Sequence, residues 1–180
     1  MSEIEWSRLK ASEIRTLAQR NAVVIVPIGA TEQHGPHLPN MVDWRCAQEV
    51  AQRAARLMEK TTPVVVAPTI PYGMSEHHMS LSGTITLDYA TLYAVIRCVV
   101  TSAVRHGFKR IFVLNGHGGN TTALQNMVGE LTVEYIRGGH LLGHRRQVDR
   151  QALGQAEGAV ACLRGGDRDD HGDGARAGES

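Results

Sequence analysis

The fold is decided by the stretch Ala22-Val-Val-Ile-Val-Pro27, a run of β-branched residues that ends at proline. No polar residue alternates with the apolar ones, so the run predicts a strand that is buried on both faces. Two further runs have the same character, Thr62-Pro-Val-Val-Val-Ala67 and Arg110-Ile-Phe-Val-Leu114. We therefore expect three buried strands in the first three quarters of the chain.

Apolar residues recur at three- and four-residue spacing between these runs, which indicates amphipathic helices. The helical windows are Ser12 to Arg20, Asp43 to Met58, Asp88 to His106 and Thr121 to Tyr135. In the second window the predicted buried stripe comprises Cys46, Ala47, Val50, Ala54 and Leu57, and Cys98 is expected in the core as well. Strands joined by helices predict an α/β fold with a largely parallel sheet. Such sheets bind ligands beyond the carboxyl ends of their strands.

Composition and charge exclude several classes of function. Nineteen Lys and Arg residues against eighteen Asp and Glu give a formal net charge of +1, so no basic surplus is present for binding nucleic acid. No apolar run approaches the ~20 residues of a membrane span, so no membrane partner is expected. The acidic start, Met1-Ser-Glu-Ile-Glu-Trp6, differs from a signal peptide. The three cysteines are odd in number and share no short spacing, so we expect no disulfide framework. Together these features predict a cytoplasmic protein, because the cytoplasm keeps thiols reduced.

The chain changes character at Arg137. The segment from there to Ser180 contains ten of the nineteen glycines and no aromatic residue. Its stretch Gly165-Gly-Asp-Arg-Asp-Asp-His-Gly-Asp-Gly174 cannot bury enough apolar surface to offset the entropy of ordering it. We therefore predict an α/β domain over residues 1–136 and a partly disordered tail over residues 137–180, loosely packed from about Arg164. A solvated tail and a truncated or frame-shifted continuation of the domain are the two interpretations.

Side chains that bind metals follow the first predicted strand, in Gly29-Ala-Thr-Glu-Gln-His-Gly-Pro-His-Leu-Pro39. Glu32 and His34 are two residues apart, so their side chains point to the same side of an extended segment. A Gly-Pro turn lets His37 and Asp43 fold back toward them. Carboxylates and imidazoles in one place suit zinc or manganese. The alternative is a polar loop whose side chains hydrogen-bond to local backbone.

Polar residues also follow the other two strands. The third strand leads into Asn115-Gly-His-Gly-Gly-Asn120, where His117 is isolated among glycines and the N–H groups of Gly118 and Gly119 could approach an oxyanion. A surface turn is the alternative there, and the glycine spacing does not fit a phosphate-binding loop. The second strand leads to Ser75-Glu-His-His78, which could equally be a solvent-facing loop. Three strands thus deliver polar groups to one edge of the predicted sheet.

Together these motifs resemble the creatininase family: Glu32-Gln-His-Gly-Pro-His37, Asp43, Ser75 to His78 before Gly83-Thr84, and Asn115 to Asn120. The family comprises creatinine amidohydrolases and relatives that hydrolyse carbon–nitrogen bonds outside ordinary peptides. The resemblance covers about Trp6 to Tyr135. It implies a creatininase-like three-layer sandwich, a homo-oligomer that is often a hexamer, and a centre of up to two divalent ions, zinc or manganese.

The resemblance also implies roles for single residues. By motif position Glu32 and His117 would hold one ion and His34 the other, with Asp43 bridging the two. Ser75 matches a position that contacts substrate, and His37 would line the pocket without binding an ion.

The ligands of the second ion depart from the family pattern. In creatinine amidohydrolase this ion gains a glutamate two residues after the matching histidine, and that position is Gly119 here. Relatives with a glycine there take a C-terminal glutamate, for which this chain offers only Gly174-Ala-Arg-Ala-Gly-Glu-Ser180. We expect Glu179 to be uncoordinated and at most one ion to be held tightly, because the second ion keeps only His34 and the shared Asp43.

The predicted activity is that of a metal-dependent amidohydrolase, in which a metal-activated water hydrolyses a cyclic or small amide. His78 and His171 are the candidates for protonating the leaving nitrogen. Two alternatives remain: a catalytically impaired relic that still binds metal, and a non-catalytic oligomeric interaction module.

Overall fold

The computed structural model describes residues 2–137 and the backbone of residues 160–164. Its helices are α1 (Ala11–Gln19), α2 (Val42–Met58), α3 (Tyr89–Arg105) and α4 (Thr121–Arg137). Its strands are β1 (Val23–Ile28), β2 (Val64–Val66), β3 (Arg110–Asn115) and β4 (Val160–Arg164). Short 3₁₀ helices cover Trp6–Arg8, Glu76–His78 and Gly118–Asn120. None of the helices within the described ranges is long and apolar enough to cross a membrane.

The four strands form one sheet in the order β2-β1-β3-β4. The central strand β1 pairs in parallel with both β2 and β3, so that Val23 lies between Val64 and Arg110. β4 runs antiparallel along the free side of β3, inside the segment that was predicted to be a tail, where no strand was expected. The predicted roles of His171 and Glu179, and the loose packing after Arg164, fall outside the described residues.

The sheet lies between two helical layers because the side chains of β1 alternate between its faces. Val24, Val26 and Ile28 pack in one core with α1, α3 and α4. Ile25 points the other way and packs against α2 in a second core. The predicted α/β architecture, a three-layer sandwich around a largely parallel sheet, is therefore confirmed.

The buried face of α2 differs from the predicted stripe. The helix packs on the sheet through Ala47, Ala51 and Ala55. Of the predicted stripe only Ala47 is fully buried, whereas Val50 is 53% and Leu57 80% exposed. Small side chains on the inner face let the helix lie close to the sheet, and the larger apolar residues are left on the outside. The prediction that Cys46 and Cys98 lie in the core is also wrong, since both are exposed.

Two glycines bring the start of α2 against the ends of β1 and β3. A Cβ atom on Gly29 would lie 2.3 Å from the backbone nitrogen of Trp44. A Cβ atom on Gly116 would lie 2.5 Å from the carbonyl oxygen of Asp43. Neither clash is tolerable, so the absence of side chains at these two positions allows the first turn of α2 to reach the carboxyl edge of the sheet. Asp43 is placed at that edge as a result.

Candidate metal centre

Three of the predicted ligands meet at the carboxyl edge of the sheet. Glu32 follows β1, Asp43 lies in the first turn of α2, and His117 follows β3, and all three are buried. His117 Nδ1 lies 2.8 Å from Asp43 Oδ2 and 3.4 Å from Glu32 Oε1. One nitrogen and two carboxylate oxygens, all within 4.8 Å of one another, form a group that could hold a metal ion.

The ring of His117 is oriented by its second nitrogen. His117 Nε2 lies 3.1 Å from the carbonyl oxygen of Met74, which can only accept a hydrogen bond, so Nε2 carries a proton. Nδ1 therefore faces the two carboxylates. Burial lowers the pKa of His117. Hydrogen bonds to Asp43 and Met74 and the negative charges of Glu32 and Asp43 raise this pKa by more than burial lowers it, so the net shift is upward. A histidine whose outer nitrogen donates to a backbone carbonyl is typical of metal ligands.

Glu32 retains an unused acceptor. Its Oε2 atom is buried and has no hydrogen-bond partner among residues 2–137. Leaving a buried polar atom unpaired costs about 1–3 kcal/mol, and more for a charged group. A divalent cation between Glu32, Asp43 and His117 would balance the charge of the two buried carboxylates. Mixed carboxylate and imidazole donors suit zinc or manganese. The residues therefore fit the predicted metal.

His34 lies on the other side of Asp43. Its Nε2 is 3.1 Å from Asp43 Oδ1, and its Nδ1 is 3.2 Å from the carbonyl oxygen of Glu32. The carbonyl accepts the proton of Nδ1, which leaves Nε2 as the nitrogen that faces the carboxylate. Asp43 thus directs one oxygen to each histidine, as a bridging carboxylate would.

Gly119 cannot carry the glutamate that the family pattern puts at this position. A Cβ atom there would lie 2.4 Å from His117 Nε2 and 2.5 Å from the carbonyl oxygen of Met74. Any side chain would therefore intrude on the hydrogen bond that orients His117. At Gly118, by contrast, a Cβ atom would meet nothing within 4 Å. Both glycines precede α4, where N–H groups lack helical acceptors, so the predicted oxyanion contact stays a prediction.

Two asparagines that were not predicted as site residues fix the loop of His117. Asn115 accepts the backbone N–H of His117 at 3.1 Å and donates to its carbonyl at 2.7 Å. Asn120 is fully buried, accepts the N–H of Met74 at 2.9 Å and donates to the carbonyl of Gly29 at 3.0 Å. The signal available in the sequence was their position at either end of the Gly-His-Gly-Gly run.

The other predicted site residues lie at different depths. Ser75 is fully buried, with Oγ 3.3 Å from His117 Nε2, so it contacts the ring nitrogen that faces away from the carboxylates. His78 is half-buried, with Nε2 3.7 Å from Glu32 Oε1, and the ring of His77 is parallel to that of His117 at 6.0 Å. His37 is exposed, and within the described ranges it belongs to no group of potential ligands. The predicted substrate contacts of Ser75 and His37 stay predictions.

A cavity of about 700 Å³ is lined in part by α2, and none of Glu32, His34, Asp43 and His117 lines it. Trp44, next to Asp43, and Thr31, next to Glu32, form part of its wall together with Tyr72.

The family model of creatininase, described as creatinine amidohydrolase, matches residues 7–175. The match continues past Arg137, so it includes most of the segment that was predicted to be a tail. The mycofactocin precursor peptide peptidase of Mycobacterium tuberculosis (strain ATCC 25618 / H37Rv) is 40% identical over 117 residues, which cover 62% of this chain and 46% of that protein. The creatinine amidohydrolase of Pseudomonas putida is 30% identical over 126 residues, which cover 67% of this chain and 45% of that protein. The chain spans about half the length of these curated relatives.

Solved structures of creatininase also match this chain. A crystal structure of creatinine amidohydrolase superimposes with a TM-score of 0.71 at 28% identity, covering 77% of this chain and 54% of that chain. A manganese form of creatininase gives a TM-score of 0.70 at 27% identity, covering 77% and 55%. A Zn–Zn form of a creatininase mutant gives a TM-score of 0.69 at 27% identity, with the same coverage.

Proposed function

The chain belongs to the creatininase family, and on that premise we propose that it is a metal-dependent hydrolase that cleaves a carbon–nitrogen bond. The observation that carries the proposal is the buried meeting point of Glu32, Asp43 and His117, where Glu32 Oε2 has no other partner in the described part of the chain. A pure scaffold gains nothing from burying two carboxylates beside a histidine, because their desolvation is costly unless a cation balances them.

The proposed metal is zinc or manganese, held by Glu32, Asp43 and His117. His34 and the other oxygen of Asp43 would contribute to a second, weaker position. Similarity to the manganese and Zn–Zn forms of creatininase supports this choice of metal. When bound, such an ion lowers the pKa of water and polarises a carbonyl group.

The chain's own groups hold and orient the reacting atoms. The Met74 carbonyl and Asn115 fix His117, so the ligand nitrogen needs no reorganisation. The N–H groups of Gly118 and Gly119 would stabilise negative charge that develops on the substrate oxygen. We propose His78 as the group that protonates the leaving nitrogen, because it is half-buried beside Glu32.

Two classes of substrate are candidates. The sequence motifs predict a cyclic or small amide, and the similarity to creatinine amidohydrolase supports that class. The relative from M. tuberculosis is a peptide peptidase with 40% identity against 30% for the creatinine enzyme, which favours a peptide substrate. The proposed substrates therefore include peptides as well as small amides.

We also propose a cytoplasmic location and a homo-oligomer, a hexamer by family resemblance. Exposed Cys46 and Cys98 support the location, because solvent-accessible thiols persist in a reducing compartment. Sedimentation analysis of the full chain would test the oligomer, and a stable monomer would contradict it.

The proposal is tested by metal analysis and hydrolysis assays on the full chain after chelation and reloading with zinc or manganese. Creatinine and a peptide precursor are the two substrates to compare. We expect metal-dependent turnover that Glu32→Gln abolishes, while the exposed control Glu130→Gln leaves it intact. Tight metal binding without turnover of any amide would identify the impaired relic, and no metal binding would identify the interaction module.

A further inference from the structure

A second group of potential ligands shares Glu32 with the centre described above. It consists of Glu32, His77 and His78, whose potential ligand atoms lie within 4.8 Å of one another. His78 Nε2 is 3.7 Å from Glu32 Oε1. Distances alone would therefore allow a cation to be drawn away from Asp43 and His117. The hydrogen bonds of the neighbouring residue Gln33 decide between the two groups.

The orientation of the Gln33 side-chain amide is fixed by a backbone donor. The N–H of Gly35 lies 2.9 Å from Gln33 Oε1, and because an N–H can only donate, that atom is the amide oxygen. The other amide atom is then the NH₂ group, and it lies 3.1 Å from His78 Nδ1. The backbone N–H of Gln33 is itself held by Thr84 Oγ1 at 3.2 Å, which anchors the residue.

The tautomer of His78 follows from this orientation. Nδ1 receives a hydrogen from the Gln33 amide, so it must present a lone pair, and the neutral ring carries its proton on Nε2. Nε2 is the nitrogen that faces Glu32. A nitrogen that carries a proton cannot bind a metal ion. His117 is arranged in the opposite way, since its proton lies on the nitrogen directed away from the carboxylates.

We propose that Gln33 is a positioning residue that selects the metal site. By holding the proton on His78 Nε2, Gln33 directs an N–H group of His78 toward Glu32, 3.7 Å away, and removes His78 from the set of ligands. A cation is thereby directed to Glu32, Asp43 and His117. The inference rests on the proposed function for the presence of a metal, whereas the tautomer is a property of the metal-free chain.

The tautomer is measured by ¹⁵N NMR of the metal-free full chain with labelled histidine, the His78 ring being assigned through its backbone resonances. We expect the proton on Nε2 in the unaltered protein. Gln33→Glu replaces the donor with an acceptor, so we expect the proton to move to Nδ1. Gln33→Met offers neither group, and we expect a mixture of tautomers. Gln19→Glu makes the same chemical change at an exposed site in α1 and should leave His78 unaltered. A proton on Nδ1 in the unaltered protein overturns the proposal, whether or not any variant folds.

Zinc titration with a competing chelator gives the second measurement. In the unaltered protein we expect the first zinc equivalent to shift the ring signals of His117 and not to displace the Nε2 proton of His78. In Gln33→Glu and Gln33→Met we expect affinity for a further zinc ion to rise by about 10-fold, the low end of what outer partners of ligating histidines contribute. Direct zinc binding by His78 Nε2 in the unaltered protein overturns the proposal, as does unchanged affinity in both variants. Absence of hydrolysis with the expected tautomer and zinc result would refute the proposed function and leave this inference intact.

Discussion

The two sides of Asp43 differ in how firmly they hold a histidine. The side chain of His117 is 4% exposed, and its ring and backbone are fixed by Met74 and Asn115. The side chain of His34 is 23% exposed, and apart from Asp43 its ring contacts a carbonyl two residues earlier in its own loop. One histidine is therefore positioned by contacts between distant segments and the other by a local turn.

The difference extends to charge. On the His117 side a cation would meet two carboxylates, Glu32 and Asp43, in a buried place where electrostatic attraction is screened little by water. On the His34 side it would meet one carboxylate that is already shared. We conclude that burial and donor number act together, so the His117 side should bind an ion tightly and the His34 side weakly. Each of the following predictions tests this contrast.

The largest expected effect is that of removing His117. His117→Ala deletes a ligand nitrogen and leaves two carboxylates buried together. We therefore expect the affinity for the first zinc ion to fall by about 100-fold or more, which exceeds the usual loss when a hydrogen-bond partner of a metal ligand is removed. His34→Ala should lower the same affinity by less than about 10-fold. Competition titration with a chelator measures both values. Equal losses would show that the two sides do not differ.

The second prediction tests the orientation of His117. A methyl group on Gly119 would collide with His117 Nε2 and the Met74 carbonyl. We expect Gly119→Ala to lower zinc affinity by about 10–100-fold, the usual effect of losing an outer hydrogen bond of a ligand. Gly118→Ala is the matched control, because its methyl group meets nothing within 4 Å. If the two variants bind zinc equally well, the orienting hydrogen bond is not needed.

Much of the fold could be predicted from the sequence because local pattern and burial agree. The run Ala22 to Pro27 anticipated β1 (Val23–Ile28), and the four helical windows lie within two residues of the observed helices. The buried stripe of α2 could not be predicted, because alanines and larger apolar residues form two competing stripes on that helix. Close packing against the sheet, which depends on glycines in other segments, decides between them. β4 was missed because its pairing with β3 is a contact between distant parts of the chain.

The site was predictable to the level of residue type and strand position. Glu32, His34, Asp43 and His117 were identified from motifs that follow strands, and the structure brings the other three together around Asp43. The contributions of Asn115, Asn120 and Gln33 were missed, because each acts through hydrogen bonds whose geometry is not encoded in spacing. The positions of the protons on the histidine rings depend on those hydrogen bonds, so they could not be predicted from the sequence either.

A third prediction tests the network behind His117. Asn120→Ala would leave the N–H of Met74 and the carbonyl of Gly29 without their partner. We expect the free energy of unfolding of the metal-free chain to fall by about 1–2 kcal/mol, within the cost of unpaired buried groups. Asn126→Ala is the control, since Asn126 is exposed on α4. Denaturant unfolding measures both, and equal values would mean that Asn120 does not support the loop.

The smallest expected effect concerns His37, which lies in the same loop as His34 but is exposed and belongs to no group of potential ligands in the described ranges. If only position in the loop mattered, the two histidines would be equivalent. We argue instead that contact with Asp43 distinguishes them, since His34 Nε2 lies 3.1 Å from that carboxylate. His37→Ala should therefore change zinc affinity by no more than about 2-fold, as expected of a surface substitution. If His37 contacts substrate, as the family resemblance implies, hydrolysis should fall in the same variant. Zinc titration and turnover of the same preparation give both values. A loss of zinc equal to that of His34→Ala would show that the loop rearranges and that His37 is itself a ligand.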